Sequence, residues 1–193
     1  MLVSGPEALH PLASVLRPGR HGAETEHTLH LEAPACEIVQ LLARRTGADG
    51  LAAALAGLPG PGHAAATRFG TALWQQPGGW VVVRPRGSVG SLAGELSAAV
   101  GEHAAVIDQT HGRSLIAIEG SAARRMLAKG IRIDLHRSVF PVGAVASTEC
   151  AHLGVVLHRA ARDRYEVIVF ATLARDFWHW LTEASGEFGY TAG

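Results

Sequence analysis

The sequence predicts an α+β fold with a ferredoxin-like split β-α-β order and antiparallel sheet. Three observations carry that expectation. From Trp80 to Cys150 the patterned segments run strand, helix, strand, strand, helix, strand. In the middle of that order, Val106, Ile107, Leu115, Ile116 and Ile118 are β-formers flanking a polar His-Gly-Arg corner, as in a hairpin. The helix that follows has start and stop signals. Gly120-Ser121 can cap it, Ala122, Ala123, Met126 and Leu127 form its apolar face, and Lys129 lies in the last turn before Gly130.

The remaining elements follow in order. Residues 1–35 contain Pro6, Pro11, Pro18 and Pro34 and little periodicity, so they read as an N-terminal arm with one strand around Thr28 to Leu31. The folded domain is expected over residues 36–193. Ile38, Leu41, Leu42 and Arg45 recur at helical spacing and predict a helix over Cys36 to Arg45. Gly47-Ala-Asp-Gly50 interrupts, Leu51 to Leu58 reads as a second short helix, and Leu58-Pro-Gly-Pro-Gly62 as a loop. Thr71 to Trp74 and Trp80 to Arg84 are strands joined through Pro77-Gly-Gly79. Val89, Leu92, Ala93, Leu96 and Val100 give a helical stripe from about Ser88 to Val100. Beyond the central stretch, Val145 to Cys150, Leu153 to His158 and Tyr165 to Phe170 are strands. Leu173, Phe177, Trp180, Leu181 and Ala184 mark a closing helix.

Composition narrows the function classes. The chain has 193 residues, 48% of them apolar and 18% charged, which suits one domain with a substantial core. Seventeen basic and seventeen acidic residues cancel, which argues against nucleic acid or an anionic membrane as the main partner. Cys36 and Cys150 are too far apart for a Cys-x-x-Cys pair and suggest no disulfide framework. The N-terminus lacks the basic start and apolar run of a signal peptide. The charge-free stretch Gly50 to Thr67 is broken by Pro59 and Pro61, so the expected compartment is the cytoplasm.

Four constellations are candidate sites. His27-x-x-His30 lacks a third ligand at metal-site spacing, and surface histidines explain it better. Cys150 and His152 would share a strand face, but no oxyanion donor or orienting carboxylate accompanies them. Gly87-x-x-Gly90-x-x-x-Gly94 departs from the dinucleotide fingerprint and suits close helix–sheet packing. Asp108, His111 and Arg113 could cluster at the corner. There the preferred reading is structural: His111-Gly112 shapes the turn and Asp108 bonds backbone donors.

The same residues carry a resemblance. Asp108-x-Thr-His111-Gly112-Arg113, Gly120-x-Ala-Ala, Leu127-Ala-x-Gly130, Asp134-Leu-His136 and Phe140-Pro141-x-Gly143 resemble the gamma subunit of heterotetrameric sarcosine oxidase. Trp74-x-x-Pro77-x-x-Trp80 and Phe177-Trp178-x-Trp180-Leu181 extend it over roughly residues 37–187. That family's domain is similar to the folate-binding domain of the glycine-cleavage aminomethyltransferase. The resemblance implies a non-catalytic subunit, with alpha, beta and delta subunits as partners and no cofactor of its own. FAD, FMN, NAD and zinc would belong to the other subunits, with tetrahydrofolate as co-substrate. The complex would demethylate sarcosine to glycine, transferring the one-carbon unit to tetrahydrofolate or releasing formaldehyde, and form peroxide.

The rival readings are a folate-dependent aminomethyltransferase and a free-standing pterin-binding module. The aminomethyltransferase places its acid in a paired Asp-Asp after a Gly-Gly. The corresponding stretch here, Thr148 to Leu157, holds only Glu149. Finally, Trp178 lies about 110° from the middle of the closing helix's apolar stripe, which predicts a partner-facing anchor or, nearly as well, a ring covered by the N-terminal arm.

Overall fold

Strand pairing begins inside the expected arm. The computed structural model describes residues 10–26, 28–45, 47–87 and 90–193. Strand β1 (Gly19–His21) and strand β2 (Leu29–Glu32) both join the larger of two sheets. In β2 the period-two pattern is explicit, with Leu29 and Leu31 buried and His30 exposed between them.

The next segment departs from the expected helix. Cys36–Ala43 is strand β3, paired antiparallel with β6 (Gly79–Pro85) and β7 (Ala104–Asp108). The cause is burial on both faces. Ile38 points into the layer between the sheets, whereas Val39 and Leu41 pack on the opposite side. A strand covered on both faces shows a near-continuous apolar run, which mimics helical spacing. Helix α1 (Ala48–Ala54) then starts within the expected interruption. Strands β4 (Ala64–Thr67) and β5 (Gly70–Gln76) complete a five-stranded sheet ordered β4-β5-β6-β3-β7. Helix α2 (Leu92–Val100) crosses from β6 to β7 with β3 between them, which is the split β-α-β unit. Ser88 and Val89, at the expected start of this helix, lie outside the described residues.

Strand β8 (Arg113–Glu119) does not form a hairpin with β7. It pairs with β2 and with β11 (Arg164–Phe170), so the chain changes sheets at the Asp108–Arg113 corner. Six of its seven residues are buried, a burden only a central strand carries. The half-exposed β7 is an edge. Gly120, at φ +134°, then turns the chain into helix α3 (Ala123–Leu127); a Cβ there would lie 2.8 Å from the Thr28 carbonyl oxygen. Strands β9 (Val145–Cys150) and β10 (Leu153–Ala161), helix α4 (Ala174–Ser185) and strand β12 (Tyr190–Ala192) complete the chain. The larger sheet is ordered β1-β12-β2-β8-β11-β10-β9, antiparallel throughout except for β12 beside β2.

Three apolar layers hold these elements. Leu51, Leu55, Leu92 and Leu96 of α1 and α2 cover Val39, Leu41 and Val82 of the smaller sheet. Met126, Leu127, Phe177 and Leu181 of α3 and α4 cover Ile116, Leu157 and Val167 of the larger. Ile38, Leu73 and Val81 meet Leu115, Val156 and Ile168 between the sheets. The result is helix, sheet, sheet, helix.

Trp178 requires a correction. It is 3% exposed and belongs to the core beneath the larger sheet, so it has almost no surface left for a partner. The buried positions of α4 are Ala174, Phe177, Trp178, Leu181 and Ser185; Trp180 and Ala184 are only half-buried. Leu12, Val15 and Leu16 of the N-terminal segment join this core and widen the stripe toward Trp178.

Candidate functional site

The corner Asp108–Arg113 is tied to both sheets by backbone hydrogen bonds. Gln109 N–H donates to the Ile38 carbonyl at 2.8 Å, and Ile38 N–H donates to Thr110 Oγ1 at 3.1 Å. On the other side, Ala171 N–H donates to the Gly112 carbonyl at 2.9 Å. The Asp108 carboxylate accepts from Thr110 N–H at 2.9 Å, the closed turn that an aspartate makes with the backbone two residues on. Burial pushes its proton affinity up. The hydrogen bonds from Thr110 and the nearby His111 and Arg86 outweigh this and hold its pKa below the ordinary value. His111 itself is exposed.

The other expected residues are spread along the larger sheet. Gly130 packs beneath Trp180, where an added Cβ would lie 2.4 Å from Cζ2. Asp134 Oδ1 accepts from His136 N–H at 2.7 Å, and His136 Nδ1 lies 2.7 Å from Ser138 Oγ. Phe140 is buried, and its carbonyl accepts from Arg159 Nη1 at 2.8 Å. Past Pro141, Gly143 at φ +85° donates to the Arg159 carbonyl and accepts from Ala64 N–H, both at 2.8 Å. That turn fastens the α3–β9 connection to the smaller sheet.

Among the described residues the alternative chemistries find no assembled group. Ala151 and His152 take φ values of +49° and +67°, so β9 ends at Cys150 and a tight turn carries His152 away. Burial drives the Cys150 thiol up to about 12, and burial first among several effects drives Cys36 up to about 11; neither suits a nucleophile. Among the described residues no three His, Cys, Asp or Glu side chains gather for a metal; His27 lies outside them. At the start of α2, Ser91 Oγ accepts from Gly94 N–H at 3.4 Å and Glu37 Oε1 accepts from Leu92 N–H at 2.8 Å. A hydroxyl and a carboxylate hold the donors that a dinucleotide's diphosphate would need free, so the segment does not fit that cofactor. Glu149 is an exposed partner of Arg132 at 3.5 Å.

Sequence reasoning missed the Arg84 network and, although it singled out Arg113, the burial of that side chain. Arg84 bridges Glu37 at 2.8 Å and Glu95 at 3.0 Å, joining β6, β3 and α2. Arg113 is only 8% exposed, and its guanidinium lies 4.8 Å over the Phe170 ring. It borders a cleft of about 560 Å³ between Gln75 of the smaller sheet and Glu149, Val155, Ile168 and Phe170 of the larger. Neither left a local signal, because the partners are distant in sequence.

Two packed sheets sandwiched by helices, with a split β-α-β crossover, define the class: the α+β fold of aminomethyltransferase folate-binding domains. The glycine cleavage system aminomethyltransferase T from Bartonella henselae shares it, with a TM-score of 0.61 at 16% identity, over 86% of this chain and 48% of that one. A chain of the heterotetrameric sarcosine oxidase from Corynebacterium sp. U-96 superposes with a TM-score of 0.78 at 28% identity, over 93% of this chain and 95% of that one. Sarcosine oxidase subunit gamma from an Arthrobacter species is 38% identical over 74% of this chain and 71% of its own length. The subunit from Corynebacterium sp. (strain P-1) is 35% identical over 62% of this chain and 59% of its own length. Residues 50–187 match the sarcosine oxidase, gamma subunit family, and the chain belongs to that family.

Proposed function

We propose that this chain is the non-catalytic gamma subunit of a cytoplasmic heterotetrameric sarcosine oxidase, assembled with alpha, beta and delta subunits. In this reading residues 36–193 are the domain that docks in the complex, and residues 1–35 are an arm that adds strands to its larger sheet. FAD, FMN, NAD and zinc reside in the partner subunits. The assembled enzyme oxidises sarcosine to glycine and passes the one-carbon unit to tetrahydrofolate, or releases formaldehyde, with formation of peroxide. Asp108, His111, Gly112, Gly120, Gly130, Asp134, His136, Pro141 and Gly143 serve the frame of the domain.

The observation that carries the reading is the Asp108–Arg113 corner within the family fold. The Asp108 carboxylate faces a backbone N–H and carries a lowered pKa, so it is poorly placed to donate a proton. An aminomethyltransferase reading would need a placed acid in the Thr148–Leu157 stretch, where Glu149 is exposed and paired. Co-expression of a tagged form of this chain with its candidate partner subunits tests the proposal. The expected result is a stoichiometric flavin-containing complex, and a colourless chain when it is purified alone. Flavin absorbance that stays with the isolated chain through gel filtration, or failure to capture partners, overturns it.

A further inference from the structure

Two arginines are buried among the described residues, and they differ in how their charge is met. Arg159 donates to the carbonyls of Phe140 at 2.8 Å and Arg162 at 2.7 Å. The Arg113 guanidinium makes no hydrogen bond or ion pair with any described residue. Its Nε is enclosed without an acceptor, as is that of Arg159, but Arg113 lacks the two carbonyl acceptors that Arg159 has. Burial lowers its pKa with no carboxylate acting against that. Glu149 borders the same cleft but is engaged by Arg132 at the surface. A guanidinium has five donors in a planar fork, and burying it unpaired is costly unless another molecule supplies the acceptor.

What surrounds Arg113 narrows that acceptor. Phe170, its cross-strand neighbour, is 48% exposed although its ring lies under the guanidinium. Val155 and Ile168 form an apolar wall of the cleft. A buried Arg stacked on an aromatic ring with an open rim has the composition of an interface anchor. The half-exposed ring gives a protein surface apolar area to cover, which a small anion would leave wet.

We propose that Arg113 and Phe170 receive one Asp or Glu side chain from another subunit of the complex, inserted into the cleft between the two sheets. The carboxylate accepts two N–H bonds from the guanidinium fork, and the flanking surface of the partner covers Phe170. This inference rests on the gamma-subunit reading.

The test uses the full chain and the remaining subunits co-purified without it. Arg113→Met keeps length and bulk while removing the charge. It should leave the melting temperature of the free chain unchanged or higher, because an uncompensated buried charge is gone. Association with the other subunits should weaken by about thirtyfold or more. Wild-type affinity should fall with added salt more steeply than that of Arg113→Met. Phe170→Ala, at an exposed ring, should weaken association with little change in melting temperature.

An Arg113→Met chain that assembles with wild-type affinity overturns the inference. So does one whose free form loses several degrees, since Arg113 would then serve the internal fold. Acetate that raises the melting temperature of the wild-type chain but not of Arg113→Met, with assembly unaffected, marks a small-anion site and also overturns it. If the wild-type chain fails to bind the other subunits, the gamma-subunit reading falls and takes this inference with it.

Discussion

Replacing Trp178 with alanine separates a core role from a partner-facing one. The side chain is 3% exposed, on the face of α4 that also buries Ala174, Phe177 and Leu181. Leu12, fully buried, and the partly buried Val15 and Leu16 pack into the same core from the N-terminal segment. Removing a buried Trp costs about 3–5 kcal/mol, as transfer free energy plus the cavity left behind. In a chain of 193 residues each kcal/mol shifts the melting temperature by about 2–4 °C, so the free chain should lose about 6–20 °C. Leu12→Ala, which opens the same core from the other side, should cost about 2–5 kcal/mol. Thermal melting of the free chains by circular dichroism reads both effects. In complexes assembled at low temperature, the affinity per folded molecule should stay near wild type. A Trp178→Ala chain that melts within about 3 °C of wild type but associates tenfold more weakly would refute the packing argument.

Three further outcomes follow from the geometry. Glu166 lies 3.1 Å from His158 Nδ1, and this hydrogen bond, against the upward push of burial, holds the Glu166 pKa below its ordinary 4.5. A folded-state pKa below the unfolded one contributes stability above about pH 4.5 that is lost as pH falls through the lowered value. Urea titrations of Glu166→Gln should therefore show a flatter stability profile than wild type across that acid range, and parallel profiles would contradict this account. Gly130→Ala should cost about 1–3 kcal/mol and change the near-ultraviolet dichroism of the tryptophans, because the new methyl meets the Trp180 ring; an unchanged spectrum argues against that contact. Asp108→Ala should lower the stability of the free chain by about 0.5–1.5 kcal/mol, the net worth of an exposed hydrogen bond to Thr110 N–H that water partly replaces, while turnover per intact complex stays near wild type. A hundredfold loss of turnover in a fully assembled Asp108→Ala complex would make that carboxylate part of the chemistry.

Local pattern determined more of the chain than it placed. The strands around Trp80, Leu115, Val145, Leu153 and Tyr165 and the helices through Leu92, Met126 and Phe177 lie where alternation, helical spacing and the Gly130 stop signal put them. The order of motifs from Asp108 to Gly143 identified the family, because motif order is a property of the chain itself. Tertiary structure decided which sheet each strand joins. Pairing free energy depends on which faces are covered. Strand β3, covered on both, lost the alternation that marks a strand, and β8, legible as a strand, carried no sign that it pairs with β2 and β11 rather than with β7. It also decided the fate of Trp178, since the buried width of α4 depends on Leu12, Val15 and Leu16, more than 150 residues away. The sequence marks Arg113 as part of a motif and a candidate cluster but gives no sign that it is buried. Only the closing of two sheets around it, with Phe170 beneath and no carboxylate of a described residue paired with it, makes it a buried charge in need of a partner.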